Sequence, residues 1–85
     1  MVYLRVQRLL GRLRNIGPDT IQARNSLTDD IGFTSAGLRA LAVKVNEELV
    51  DLNVCVTPSE TGGCETVRDL ARLIFEKVPP HLRAT

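Results

Sequence analysis

The stretch that most constrains this chain runs from residue 29 to residue 49, where a short lead-in gives way to a strongly periodic apolar sequence. The lead-in reads DDIGF, and Thr34 and Ser35 follow it. Apolar residues then recur at three- and four-residue spacing, which is the period of an α-helix with one buried face. Hydroxyl residues directly before such a pattern mark a helix N-terminus. We therefore predict a helix that begins at Thr34 or Ser35, ends near Val50 or Leu52, and exposes the Ser35 hydroxyl at its start. From these local residues alone, an ordinary N-cap is the alternative role of Ser35.

Three further segments carry helix signals. Residues 2–14 have an apolar stripe with arginines on the other face, and an Asn-Ile-Gly-Pro sequence follows, in which we expect Gly17 to form a left-handed cap. The sequence that follows Thr57 resembles the start of a helix. That helix should be short, because a Gly-Gly pair ends it almost at once. Thr66 is placed to cap a last helix. The apolar face of that helix is predicted to be Val67, Leu70, Ala71, Ile74 and Phe75.

These segments predict an all-α fold, namely a small four-helix bundle with a long first loop and a short third helix. We expect one domain over residues 1–85, with residues 79–85 as a tail. The composition agrees with this fold, since 44% of the residues are hydrophobic but only two Phe, one Tyr and no Trp are present. A small core without large aromatic rings suits packed helices better than a β-sandwich. Between the second helix and the short one, the alternating pattern predicts Val54 and Val56 inside and Cys55 outside.

Several classes of protein are disfavoured by the sequence. No apolar run approaches the ~18–20 residues that a membrane span needs, and arginines interrupt the N-terminus where a signal peptide would be uncharged. Cys55 and Cys64 are too few for a disulfide framework and lack partners for a metal site. No Ser/His/Asp or Cys/His set is present. We therefore expect a cytoplasmic, monomeric protein that holds no metal and is not an enzyme by itself.

The first helix raises the possibility of nucleic-acid binding, because Arg5, Arg8, Arg12 and Arg14 lie in a segment without acids. The net charge of the whole chain is only +1, and the helix has a single tyrosine. Nucleic-acid-binding domains usually carry a larger positive excess and aromatic stacking residues. We therefore expect no nucleic-acid partner, and keep a small basic nucleic-acid-binding domain as the weakest alternative.

The order of these features resembles the acyl carrier protein family and its peptidyl and aminoacyl carrier relatives. The DIGF sequence at residues 30–33 matches the family's lead-in, Ser35 matches its attachment serine, and Thr66 stands at the start of its last helix. The resemblance implies 4′-phosphopantetheine attached covalently to Ser35, with an acyl or aminoacyl group held as a thioester. It also implies three kinds of partner: a phosphopantetheinyl transferase, a loading enzyme, and downstream enzymes of fatty-acid, polyketide or other specialised biosynthesis.

Three features depart from the family pattern, and one of them is Ala36, which stands where the family has a leucine. Thr34 stands where the family has an aspartate that helps to engage the transferase, and Arg39 and Lys44 replace the usual acidic surface. We expect partner enzymes to dock along the second helix with a surface less basic than usual. An unmodified, carrier-like interaction module is the main alternative, and the two cations are equally well explained as solvated charges. The predicted docking residues are Thr34, Ala36, Leu38, Arg39, Lys44, Glu47 and Glu48.

Overall fold

The computed structural model describes residues 2–83, and the side chains of residues 2–81. Its helices are α1 (Val2–Arg14), α2 (Ser35–Glu48), α3 (Pro58–Gly62), α4 (Val67–Lys77) and a single turn, α5 (Pro80–Arg83). Two short 3₁₀ turns, Pro18–Thr20 and Val50–Leu52, lie in the connections. Over this described range there is no β-strand, only one isolated bridge between Ser26 and Thr66. The prediction of a small all-α fold is confirmed. Among the described helices, none is both long and apolar enough to cross a membrane.

The core is built from the apolar stripes of the three longer helices and from side chains of the connections between them. The apolar stripe of α2 consists of Leu38, Leu41, Ala42 and Val45, which are all buried. In the segment after α2, Val54 and Val56 point inward and Cys55 is exposed, as the alternating pattern predicts. The largest fully buried side chains come from every part of the core: Val6, Leu10, Ile21, Leu27, Leu41, Val45, Leu49, Thr61, Val67, Leu70 and Ile74.

The C-terminal part of the prediction needs two corrections. Phe75 is 46% exposed, although its neighbour Ile74 is fully buried. Consecutive residues of an α-helix point about 100° apart. When Leu70 and Ile74 face the core, Phe75 therefore lies at the edge of the buried face, next to solvent. The predicted tail contains the helical turn α5, because Pro80 is acceptable in the first turn of a helix. Residues 84 and 85 lie outside the described part of the chain.

The end of α1 also differs from the prediction, because the left-handed residue is Asn15, with a φ of 57°, and Gly17 has a φ of −66°. Asparagine is one of the few side-chain-bearing residues that adopt this conformation readily. The Ile16 N–H then donates to the Gly11 carbonyl at 2.9 Å, which is the bond of a Schellman cap. A Cβ on Gly11 would lie 2.7 Å from the Ile16 carbonyl oxygen, so the close return of the chain requires glycine there.

The long connection between α1 and α2 is fixed to the start of α4 by backbone hydrogen bonds. The Leu27 N–H donates to the Glu65 carbonyl at 2.9 Å, and the N–H groups of Val67 and Arg68 donate back to loop carbonyls at 3.0 and 2.9 Å. Ile21 and Leu27 insert into the core with 2% and 0% exposure. The loop therefore delivers the chain to the start of α2 along a defined path.

Candidate functional site

Two adjacent hydroxyl residues have different roles at the start of α2. Thr34 is the N-cap: its Oγ1 accepts a hydrogen bond from the Gly37 N–H at 3.0 Å, and its carbonyl accepts one from the Leu38 N–H at 2.9 Å. Ser35 is the first helical residue and is exposed. Its hydroxyl has no hydrogen-bond partner within the described part of the chain. Because threonine satisfies the cap, the serine oxygen is available for chemistry.

The backbone around Ser35 favours a negatively charged group. The first N–H groups of an α-helix have no partner inside the helix, and only that of Gly37 is satisfied by the Thr34 side chain here. The N–H groups of Ser35 and Ala36 therefore remain for solvent or a ligand, and the helix dipole adds partial positive charge. Ala36 is small and exposed, so the approach to the hydroxyl is open on that side.

Arg14, from the end of α1, holds the turn that leads into Ser35. Its Nε donates to the Ile31 carbonyl at 3.3 Å, and its guanidinium lies 5.6 Å from the centre of the Phe33 ring. Gly32 between them has a φ of +96°, a conformation that side-chain-bearing residues rarely adopt. Ile31 is buried at 7% exposure and anchors the turn in the core. The sequence showed Arg14 only as a charge, because no local signal links it to a turn 17 residues away.

Within the preceding loop, Asp30 makes a local structural contact. Its Oδ2 accepts a hydrogen bond from the Ser26 N–H at 2.7 Å, and the Ser26 carbonyl accepts from the Ile31 N–H at 3.0 Å. The Phe33 N–H donates to the Leu27 carbonyl at 2.9 Å. The Asp30 carboxylate is therefore engaged by the loop backbone. Hydrogen bonds at Asp30 and at Phe33 hold both ends of the turn that precedes Ser35.

Helix α3 supports the first turns of α2 from the side. Thr61 is fully buried, and its hydroxyl donates to the Leu38 carbonyl at 2.7 Å. α3 is itself capped by Thr57, whose Oγ1 accepts from the Glu60 N–H at 3.2 Å, and Glu60 forms an ion pair with Lys77 at 2.7 Å. The prediction of a short capped helix is confirmed, whereas the contact between Thr61 and α2 was not foreseen because threonine has no apolar periodicity to reveal it.

The structure separates the seven predicted docking residues into different environments. Leu38 is only 4% exposed, so it belongs to the core and its placement on the docking surface is wrong. The Glu48 carboxylate pairs with Arg12 of α1 at 2.6 Å, at the far end of the helix from Ser35. An apolar residue that was not predicted, Val43, is 54% exposed on α2. The five others are exposed as a docking surface requires: Thr34, Ala36, Arg39, Lys44 and Glu47.

The two cysteines differ in their environment. Cys64 is buried, and this burial raises the pKa of its thiol to about 11, while Cys55 is exposed. Within the described residues, no group of three or more His, Cys, Asp and Glu side chains is placed to hold a metal ion.

No protein-family model matches the chain, and no curated protein matches its sequence.

Proposed function

We propose that this chain is a carrier protein, in which Ser35 is modified with 4′-phosphopantetheine and the arm bears an acyl or aminoacyl group as a thioester. The observation that supports the proposal is the division of roles at the start of α2. Thr34 provides the cap, so Ser35 keeps an exposed hydroxyl in a fixed position. If Ser35 served only as a helix cap, its hydroxyl would itself accept a hydrogen bond from the Gly37 or Leu38 N–H.

The residues present fit a phosphodiester at this position. A phosphate on the Ser35 oxygen would lie beside the N–H groups of Ser35 and Ala36, where the helix dipole favours negative charge. The Gly32 turn and its contact with Arg14 keep the attachment point fixed relative to the core. Once bound, the group would supply a flexible arm with a terminal thiol, and this chain would hold the base of the arm.

In such a protein the mechanism is positional. Tethering an intermediate to a small domain raises its effective concentration at the active site of each enzyme that the domain visits. Loading and downstream enzymes would read the exposed side of α2, where Arg39 and Lys44 flank the apolar Val43. This charge favours partners whose docking surface is not basic. We place this carrier in the cytoplasm, as a monomer in fatty-acid, polyketide or other specialised biosynthesis.

Intact-mass measurement tests the proposal directly. We expect the chain, co-expressed with a promiscuous phosphopantetheinyl transferase, to gain the mass of one phosphopantetheine. The gain should vanish in Ser35→Ala and persist in Ser59→Ala, a matched change of an exposed serine in α3. Modification of Ser35→Ala at the level of the wild type would rule out Ser35 as the attachment site.

The second candidate is a carrier-like module that is never modified and only binds other proteins. It is favoured by Thr34, which leaves the first turn of α2 without an acidic residue for a transferase to engage. Aspartate caps a helix as well as threonine does, so Thr34→Asp introduces a carboxylate without losing the cap. We expect Thr34→Asp to accelerate modification. If neither the wild type nor this variant gains the added mass, the interaction module is the better assignment.

A further inference from the structure

A second feature lies about 20 Å from Ser35 along α2, at the rise of 1.5 Å per helical residue. A cleft of about 200 Å³ opens between α1 and the C-terminal end of α2. Its apolar part comes from Leu9 and Leu49, which are 3% and 2% exposed and belong to the core. Its lining residues are Arg5, Arg8, Leu9, Arg12, Glu48 and Leu49.

Two of the three arginines are held in place by acids of the facing segment. Arg5 binds both carboxylate oxygens of Asp51, at 2.6 and 3.0 Å, and its Nη2 also donates to the Glu48 carbonyl at 3.0 Å. Arg12 pairs with the Glu48 carboxylate at 2.6 Å. These contacts lie at the rim of the cleft and engage the carboxylates of Glu48 and Asp51.

Arg8 stands between these pairs and has no ion-pair partner in the described part of the chain. The cleft lining holds three guanidinium groups and one carboxylate, that of Glu48. Counting also Asp51, which pairs with Arg5 from outside the lining, an excess of one positive charge remains. A guanidinium binds a carboxylate through two parallel hydrogen bonds, which makes arginine better suited to this task than lysine.

We propose that this cleft binds the carboxylate side chain of an acidic segment in a partner protein. The carboxylate would meet Arg8, and the methylene groups of the same side chain would lie over Leu9 and Leu49. The volume fits one side chain, since pockets for drug-sized ligands measure about 300–1,000 Å³. The proposal goes beyond carrier function and does not depend on it, because nothing in the cleft requires a modified Ser35.

The charge pattern favours a protein over a nucleic acid as the partner. Nucleic acids present a continuous row of phosphates, and binding them requires several free cations along one surface. Here two of the three cations already hold the carboxylates of Glu48 and Asp51, which would repel neighbouring phosphates. An isolated acidic side chain needs only the free guanidinium of Arg8.

Amide chemical shifts of the ¹⁵N-labelled full chain test this proposal, with a blocked hexaglutamate peptide as the probe and hexaglutamine as its neutral control. We expect saturable shifts at Leu9 and Leu49 with hexaglutamate only. Arg8→Ala should weaken the affinity by about fivefold, the loss of one exposed charge-assisted contact. Glu48→Gln should tighten binding, because it removes the carboxylate that competes for Arg12. The matched control Arg72→Ala removes an exposed arginine of α4 and should leave the affinity unchanged.

Three results would overturn the proposal. The first is a loss of affinity in Arg72→Ala equal to that in Arg8→Ala, which would indicate attraction by net charge alone. The second is an equal response to hexaglutamine, or no saturable shift at all. The third is a DNA duplex that shifts the same amides at lower concentration than the peptide does. Alanine favours helices, so Arg8→Ala should stay folded, and Glu48→Gln provides an independent test if it does not.

Discussion

Asn46 offers the most direct test of how α2 is held against the rest of the chain. Its Nδ2 donates to the Val56 carbonyl at 3.0 Å, and its Oδ1 accepts from the Val56 N–H at 2.8 Å. One side chain thus pairs with both backbone groups of a residue that is only 3% exposed. The segment that carries Val56 leads into α3, so these bonds also position the helix that supports the first turns of α2.

Replacing Asn46 with alanine should lower the free energy of unfolding by about 2 kcal/mol. Each lost hydrogen bond contributes about 1 kcal/mol net, and a backbone group left dry costs about 1–3 kcal/mol. The higher helix propensity of alanine returns at most about 0.7 kcal/mol. For a domain of this size, a change of about 2 kcal/mol corresponds to a decrease in Tm of about 8–16 °C.

Urea denaturation followed by circular dichroism measures this loss, and hydrogen exchange of the Val56 amide reports on the bond itself. The matched control is Glu47→Ala, since Glu47 is exposed and adjacent on the same helix. We expect that variant to stay within about 0.5 kcal/mol of the wild type. The reasoning fails if Asn46→Ala is as stable as the control and its Val56 amide remains protected.

Three further predictions follow from single positions. Gly32→Ala should lower the free energy of unfolding by about 1–3 kcal/mol in urea denaturation, because its φ of +96° strains any side-chain-bearing residue. Iodoacetamide at about pH 8 should alkylate the exposed Cys55 alone, because the thiolate is the reactive form and burial raises the Cys64 pKa to about 11. The hydrogen bond from Lys77 lowers the pKa of Glu60 below its ordinary 4.5. The stability from this contact is therefore present above pH 4.5 and lost as the pH falls through the lowered value, and Glu60→Gln should flatten that part of the stability–pH profile.

Each of these three has a control. Gly63→Ala changes a glycine with a φ of −87° and should cost little; an equal loss there would remove the conformational argument for Gly32. Both cysteines should be alkylated in urea, so labelling of Cys64 in the folded protein would show that its burial is transient. An unchanged acid limb of the stability profile in Glu60→Gln would mean that the ion pair contributes nothing to folding.

The helix starts could be predicted because the interactions that set them are local. The caps at Thr34, Thr57 and Thr66 all satisfy a backbone N–H within three residues of the capping side chain. The left-handed cap after α1 was predicted wrongly, because both Asn15 and Gly17 are residue types that adopt this conformation. The residue that adopts it is Asn15. The assignment of Ser35 as an attachment site stays a prediction, supported by its exposure and by the cap on its neighbour.

Hydrophobic periodicity and capping act over a few residues, so the sequence alone predicts the four main helices, most of the face that each one buries and the exposure of Ser35. Which element covers each face depends on how the helices pack. The contact of Arg14 with the Gly32 turn, the bonds of Asn46 to Val56 and the ion pair of Arg5 with Asp51 join residues 17, 10 and 46 positions apart. A periodic pattern specifies that a face is buried but not what lies against it, so these contacts arise only when the helices pack.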